Sequence, residues 1–384
     1  MSQWSDDVFL DGLRRSGDPR ADEAVRRLRD EGGSAAVGRA FRVLQGNDTP
    51  LPPDAPEALH AFMRDAGGLP AGTDRARLHR GGEAFLRNAL PSVVVLLASS
   101  LPRGYAAPCL TEILSISGDL ERHPYERLMG VVQLLVNVSD GHAFDDHGRA
   151  IVTAKKLRLL HAGIRVLTDT YRPDFRARFQ VPVNHEDMLA TIMAFSYLLV
   201  DGIRRLGLPL ADDEAEDLYY LWRIFAQLMG IHPEGRPDDA SLVPATLAEA
   251  AEFYAAYVRR NNTMPDRNPA GVALTTSNLR MMTRLLPPVA RMVGLGWAPR
   301  LCMTELMSRE ELARVGFTPL TGHGLLKAVL TGVLRVGQWA GERNAFIDKV
   351  AHLVLQGMVA VDRRGEVVFS VPFSRLDLRG PAFE

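Results

Sequence analysis

The feature that most constrains the fold is the spacing of apolar residues. Along most of the chain they recur at three and four, punctuated by glycine and proline, which is the period of a helix and not of a strand. The pattern predicts an all-α protein, and 384 residues suffice for a single large multi-helix domain with its own core. GGEAFLRNALPSVVVLLASSLP (81–102) reads as an apolar helix, with Pro91 at a start or kink and Pro102 beyond its end. Further helices are expected over 126–141, 149–170, 185–206 and 212–235. Asn184 suits an N-cap with Asp187 three residues on, and Gly207 with Pro209 suits an ending. Residues 1–60 are polar, with short helices and a Pro-rich linker, and form an N-terminal cap. The main domain runs over 61–373 and a tail over 374–384. Near its end, MVAVDRRGEVVFSVP (358–372) alternates on both sides of Arg363-Arg364-Gly365, which allows one small C-terminal β-hairpin.

Charge and cysteine usage narrow the function classes. Net charge is −1 and the basic residues are interleaved with acids, so nucleic-acid binding has no support. Cys109 and Cys302 are the only two cysteines and form no CxxC pair, which points to a reducing compartment. The start, MSQWSDDVFLDGLRRSGD, lacks the basic and apolar regions of an export signal, so a cytoplasmic location is expected. MLATIMAFSYLLV (188–200) falls short of the roughly 18–20 apolar residues that span a bilayer and reads as a buried helix. No nucleophile elbow, P-loop or dinucleotide fingerprint occurs, nor a Glu-x-x-His pair on the core helices. His142, Asp145, Asp146 and His147 lie close in sequence, but in a polar loop without the spacing of known metal motifs.

KKLRLLHAGIRVL (155–167) carries the chemistry. On a helix, Lys155, Arg158, His161 and Arg165 share one face, while Leu157, Leu160, Ile164 and Leu167 form an apolar stripe beside it. A haem asks a protein wall for this mixture: an imidazole for iron, apolar cover for the macrocycle and cations for the propionates. The same spacing also suits snorkelling arginines around a core-boundary histidine, and spacing alone leaves both readings open.

Three blocks in order, KKLRLLHAGIRVL, QVPVNHEDMLATIMAFSYLLVDGIRRLG (180–207) and LYYLWRIFAQLMGIHPE (218–234), resemble the rubber-oxygenase or latex-clearing-protein-like family, which includes MpaB-type oxygenases. The resemblance extends over about residues 15–370 and makes 61–373 the catalytic domain. It implies an all-helical fold, haem b with its iron, and dioxygen-dependent cleavage of carbon–carbon double bonds in isoprenoid chains. The family's axial histidine falls at Met193, and the stretch LYYLWRIFAQLMG (218–230) of the third block has no histidine where family members often have one. His161 is then the first alternative iron ligand and His185 the second, Met193 itself being a thioether that can ligate iron or simply fill the core. The family's lysine near the haem corresponds to Lys156, a candidate catalytic residue that also reads as a solvated surface lysine.

The expectation is a haem-dependent oxygenase acting on a small, largely apolar substrate, unsaturated if it follows the family, with dioxygen as co-substrate. Arg158 and Arg165 would hold propionates or an acidic substrate group. The alternative is a non-catalytic helical relative that binds a lipophilic small molecule or a protein partner, which the methionine at position 193 favours. A cofactor-free or non-haem enzyme using the same pocket is a third reading without positive support.

Overall fold

The computed structural model describes residues 2–43, 51, 56–65, 68–116, 131, 134–135, 137–139, 142–145, 148–286, 295–322 and 324–341. Among these every regular element is helical. The expected hairpin at 358–372 and most of the helix at 126–141 lie outside the described residues.

The chain opens with α1 (Asp7–Arg15), capped by the Asp6 carboxylate accepting from the Val8 amide. Then come α2 (Pro19–Val43), α3 (Glu57–Asp65), α4 (Arg75–Arg87) and α5 (Ala89–Val95). A π-turn over Leu96–Ser100 leads into α6 (Leu101–Gly104), followed by α7 (Pro108–Ile116). The central helices are α8 (Arg149–Tyr171), the short α9 (Phe175–Phe179), α10 (His185–Phe195), α11 (Tyr197–Arg205) and α12 (Asp212–Leu228). After them lie α13 (Leu247–Asn261), α14 (Pro269–Leu285), α15 (Ala298–Leu306), α16 (Arg309–Arg314) and α17 (Gly324–Gly341).

The structure differs from the sequence reading in several places. Residues 81–102 are not one helix: α4 and the α5–α6 run meet at 77°, and Pro102 sits in the first turn of α6, where its missing N–H costs nothing. The segment 185–206 is two helices broken at Ser196, whose φ of −127° and ψ of −87° are not helical. The third long helix stops at Leu228, and Gly230 turns the chain at φ 88°. In the N-terminal cap α1 is a short helix as expected, whereas α2 runs to 25 residues.

The core has a main cluster and a satellite. The main cluster draws on α1, α4, α5, α7, α8 and α10–α17, with Phe195 stacked on Trp222 at 5.1 Å between ring centroids. The satellite joins Ala21, Ala24, Val25 and Leu28 of α2 to Leu59 and Phe62 of α3 and to Leu159 and Ala162 of α8. Close packing of α4 on α12 depends on Gly81, since a Cβ there would lie 2.3 Å from the Asp217 carbonyl oxygen. Arg77 and Arg80 of α4 fasten the same contact by donating to the two Asp217 oxygens at 2.7 and 2.6 Å. No single described helix is long and apolar enough to cross a membrane; the bent pair α4 with α5–α6 passes by length and composition alone, and it contributes to the core.

Candidate site at the seam between the two clusters

The turn QVPVN sets up the site. Gln180 and Val183 both take positive φ, 65° and 51°, which a β-branched valine rarely adopts unless its surroundings hold it there. Two contacts hold it: Arg165 Nη1 donates to the Val183 carbonyl at 3.2 Å, and Asn184 caps α10 by accepting from the Asp187 amide at 2.9 Å. This cap is the one expected from the sequence.

Directly below it lies a buried polar cluster. Arg14, at the end of α1, donates from Nε to Glu186 and from Nη2 to Asp187 at 2.9 Å. Asp187 also accepts from Tyr257 Oη at 3.0 Å and Asn184 Nδ2 at 2.8 Å, and Glu186 accepts from Arg260 and Asn261. Burial opposes the Arg14 charge, yet the facing carboxylates outweigh it and raise the Arg14 pKa. Burial, reinforced by the Asp187 charge, raises the neighbouring Cys109 thiol far above its ordinary value, so this cysteine is not a nucleophile. The cluster therefore anchors α1 to the start of α10.

Arg158 and Arg165 of α8 are almost fully enclosed, 4% and 3% exposed, whereas the expected apolar stripe of Leu157, Leu160, Ile164 and Leu167 is only half-buried. The reason is that carboxylates come to the arginines. Asp18 takes two bonds from Arg158, at 2.6 Å from Nε and 3.1 Å from Nη2, and Asp22 accepts from Arg165 Nε at 2.7 Å. Burial pushes Asp18 upward, but the Arg158 hydrogen bond and charge win and hold it below the ordinary carboxylate value. Asp22 is raised, because its burial outweighs Arg165. Gly230 makes room for this pairing: a Cβ there would stand 3.0 Å from Asp18 Oδ2 and 3.1 Å from Arg158 Nε. The Arg158 guanidinium also lies 5.3 Å from the Phe62 ring centre, and Lys155 Nζ donates to the Met63 carbonyl at 2.8 Å.

His161 and His185 meet at this seam, both within electrostatic reach of Asp18 and Arg165. Nδ1 of His161 is sealed from solvent without a hydrogen-bond partner, and so are both ring nitrogens of His185, which is 4% exposed. Burial, with the Arg165 charge, depresses each imidazole to about 4. Such groups are poor bases near neutral pH but remain neutral, with lone pairs available as ligands. Nη2 of Arg165 is likewise buried without a partner.

Lys156 and Met193 stand apart from this seam. Lys156 is two residues from Arg158, about 200° around the helix, and is 4% exposed, which removes the solvated-surface reading. Met193 is fully buried on α10 within the main cluster. His142 and Asp145 pair with each other at 2.9 Å on the surface, and no group of three or more His, Cys, Asp or Glu among the described residues is disposed to hold a metal ion. The sequence reading missed Arg14, Asp18, Asp22 and Glu186, and it had Asp187 only as the partner of the Asn184 cap. Its one usable signal was the Asp18-Pro19 helix start, where Asp18 Oδ1 accepts from the Ala21 amide at 3.2 Å.

The described residues form an all-helical fold with two imidazoles at an internal seam, His185 buried and His161 half-buried with a sealed Nδ1. Residues 92–315, more than half the chain, match the family described as ER-bound oxygenase mpaB/B'/Rubber oxygenase, catalytic domain, and the chain belongs to that family. It is 25% identical over 252 residues to the rubber oxygenase of Streptomyces sp. strain K30; the match covers 61% of this chain and 59% of that protein's length. Among solved structures, latex clearing protein LCP in the closed state is similar with a TM-score of 0.64 at 21% identity, over 85% of this chain and 91% of that one, a likeness of fold.

Proposed function

We propose that this protein is a haem-dependent oxygenase that acts with dioxygen on a small, largely apolar substrate, unsaturated if it follows the family. The observation that carries the reading is the sealed, partnerless Nδ1 of His161 in a chain of the rubber-oxygenase family. Porphyrin supplies four nitrogens, so a haem iron asks the protein for one axial donor and not for a cluster of ligands. A neutral imidazole fits that demand, and His185 offers a second. The thioether of Met193, at the family's axial position, is the remaining candidate.

Bound haem would supply dioxygen activation. The chain's own residues would do the rest: His161 would hold the iron, the remaining N–H groups of Arg165 would face an anionic group, and Ala21, Ala24, Val25 and Leu28 would keep water from the seam. Lys156, buried on another flank of α8, is the candidate catalytic residue, corresponding to the family's lysine near the haem. Cys109 and Cys302, both free and buried, accord with a cytoplasmic location.

The second reading, a non-catalytic relative that binds a lipophilic molecule or a protein partner, is favoured by one observation: Arg158 and Arg165 already hold carboxylates of their own chain. The visible spectrum and iron content of the purified protein separate the two. A Soret band with near-stoichiometric iron is expected, and it should be lost or shifted in His161→Ala with helical content retained. A colourless, iron-free protein after expression with haem precursor overturns the proposal, and a spectral change confined to Met193→Leu transfers the ligand to the thioether.

A further inference from the structure

We propose that the cleft between α11, α13 and the start of α16 binds a small organic anion, a phosphate or carboxylate head on a short apolar body. The inference stands apart from haem, since no residue that lines the cleft is among the candidate iron ligands.

Three helices bring one arginine each to this place. Arg205 ends α11, Arg259 lies near the end of α13 and Arg314 closes α16, and with Ser308, the cap of α16, they line an open cleft of about 420 Å³. Sites for small molecules fall at roughly 300–1,000 Å³, so the cleft has room for a ligand of several carbons. Its α13 wall is graded. Ala255 shares a face with Val258 and Arg259, three and four residues on, so an apolar strip leads to a guanidinium. A molecule with a head and a body uses both parts of that wall; a bare ion uses one.

The hydrogen bonds decide the sign of the ligand. Both carboxylates that line the cleft are already engaged. Glu311 accepts at Oε2 from the Ser308 amide at 2.7 Å and from Arg103 Nη2 at 3.1 Å, and its Oε1 lies 2.8 Å from Arg103 Nε. Burial pushes Glu311 upward, but the buried Arg103 outweighs it and holds the carboxyl below its ordinary value. Glu310 accepts from Arg314 Nη2 at 2.7 Å. The arginines are less fully used. Arg205 gives only Nε, to Asp201 at 2.7 Å, Arg259 only Nη2, to Asp7 at 3.0 Å, and Arg314 only Nη2, with no further hydrogen bond to the described residues. A guanidinium carries five N–H donors, so two nitrogens of each remain for a ligand. The pairs of Arg205 with Asp201 and Arg259 with Asp7 are exposed and therefore weak, which lets both guanidinium groups turn toward a further acceptor. Three forked donors and the Ser308 hydroxyl suit an oxyanion, whereas a cation would meet only carboxylates that are already bound.

Titration calorimetry on the purified full chain at fixed ionic strength tests the site, with inorganic phosphate, hexyl phosphate and hexanoate as probes. Hexyl phosphate should bind once per chain and about fivefold or more tighter than inorganic phosphate, because its chain covers Ala255 and Val258. Whichever of hexyl phosphate and hexanoate binds tighter identifies the head group. Arg205→Gln/Arg259→Gln should weaken that binding by about tenfold or more, and Val258→Asn should weaken hexyl phosphate while leaving inorganic phosphate unchanged. Arg26→Gln, at an exposed arginine outside the cleft, should bind as the wild type does. If circular dichroism shows that the double variant has lost helix, Arg259→Gln alone takes its place, since it gives up only the exposed pair with Asp7. Absence of saturable binding of any probe overturns the proposal. So does binding that the cleft variants leave untouched, or that Arg26→Gln weakens equally, and so does equal binding of hexyltrimethylammonium, which carries the opposite charge on the same chain.

Discussion

The buried side chains at the seam set how stability depends on single groups and on pH. His161 and His185 are depressed to about 4 from an ordinary 6.5, so between those values the unfolded chain binds protons that the folded chain refuses. Stability contributed by these groups is full above about 6.5, falls as the pH drops through the window and changes no further below about 4, a loss on the order of a few kcal/mol for the pair. Urea midpoints measured from pH 7 to 4.5 should show this fall, and His185→Gln should flatten it. Arg14 is the stronger single contributor: Arg14→Leu leaves Glu186 and Asp187 buried with one charge partner fewer, at a cost of about 3–5 kcal/mol. Arg26→Leu, which breaks an exposed pair with Glu23, should cost under about 1 kcal/mol in the same urea titration. Asp18 and Arg158 could not be paired from the sequence, since 140 residues separate them and neither belongs to a local motif that names the other.

At the scale of elements, what the sequence revealed is what local chemistry decides. Helix α8 and the Asn184 cap were legible because a 3.6-residue period and a side-chain oxygen three residues from an amide are local properties. The break at Ser196 was not, because a lone serine in an apolar run is compatible with a helix, and its hydroxyl donates to the Ile192 carbonyl at 2.8 Å just where α10 ends. The π-turn at Leu96–Ser100 has a cause still further away: Asn278 of α14 donates from Nδ2 to the Leu97 carbonyl at 2.7 Å, reaching across 181 residues. π-Turns lodge an extra residue at the expense of regular bonding, so this one rests on its outside donor. Asn278→Ala should leave the buried Leu97 carbonyl without that donor and lower stability by about 1–3 kcal/mol, read as a shift in the thermal midpoint. Asp18 and Asp22 were not legible as partners of α8, because the satellite cluster exists only once α2, α3 and α8 are assembled.

For the whole molecule, the two cysteines report on the main core from two different helices. Cys109 lies in α7 and Cys302 in α15; both are buried in the main cluster, and burial raises the Cys302 thiol to about 12 and Cys109 further still. The native protein should therefore show no rapid reaction with a disulfide reagent at pH 8, and both thiols should appear together in urea if the main core unfolds as one unit. A single early thiol would divide that core into separately unfolding parts. The stack of Phe195 on Trp222 carries a consequence of another kind. Trp222 is fully enclosed, its indole N–H has no partner, and it lies on α12 against the helix that bears Met193. Its fluorescence should be blue-shifted and sheltered from iodide, while Trp4, whose indole N–H is bound to Glu249, emits from the edge of the α1 anchor. The protein thus contains its own optical gauge of the interior, and any coloured group lodged within energy-transfer range of α10 announces itself by dimming the inner tryptophan.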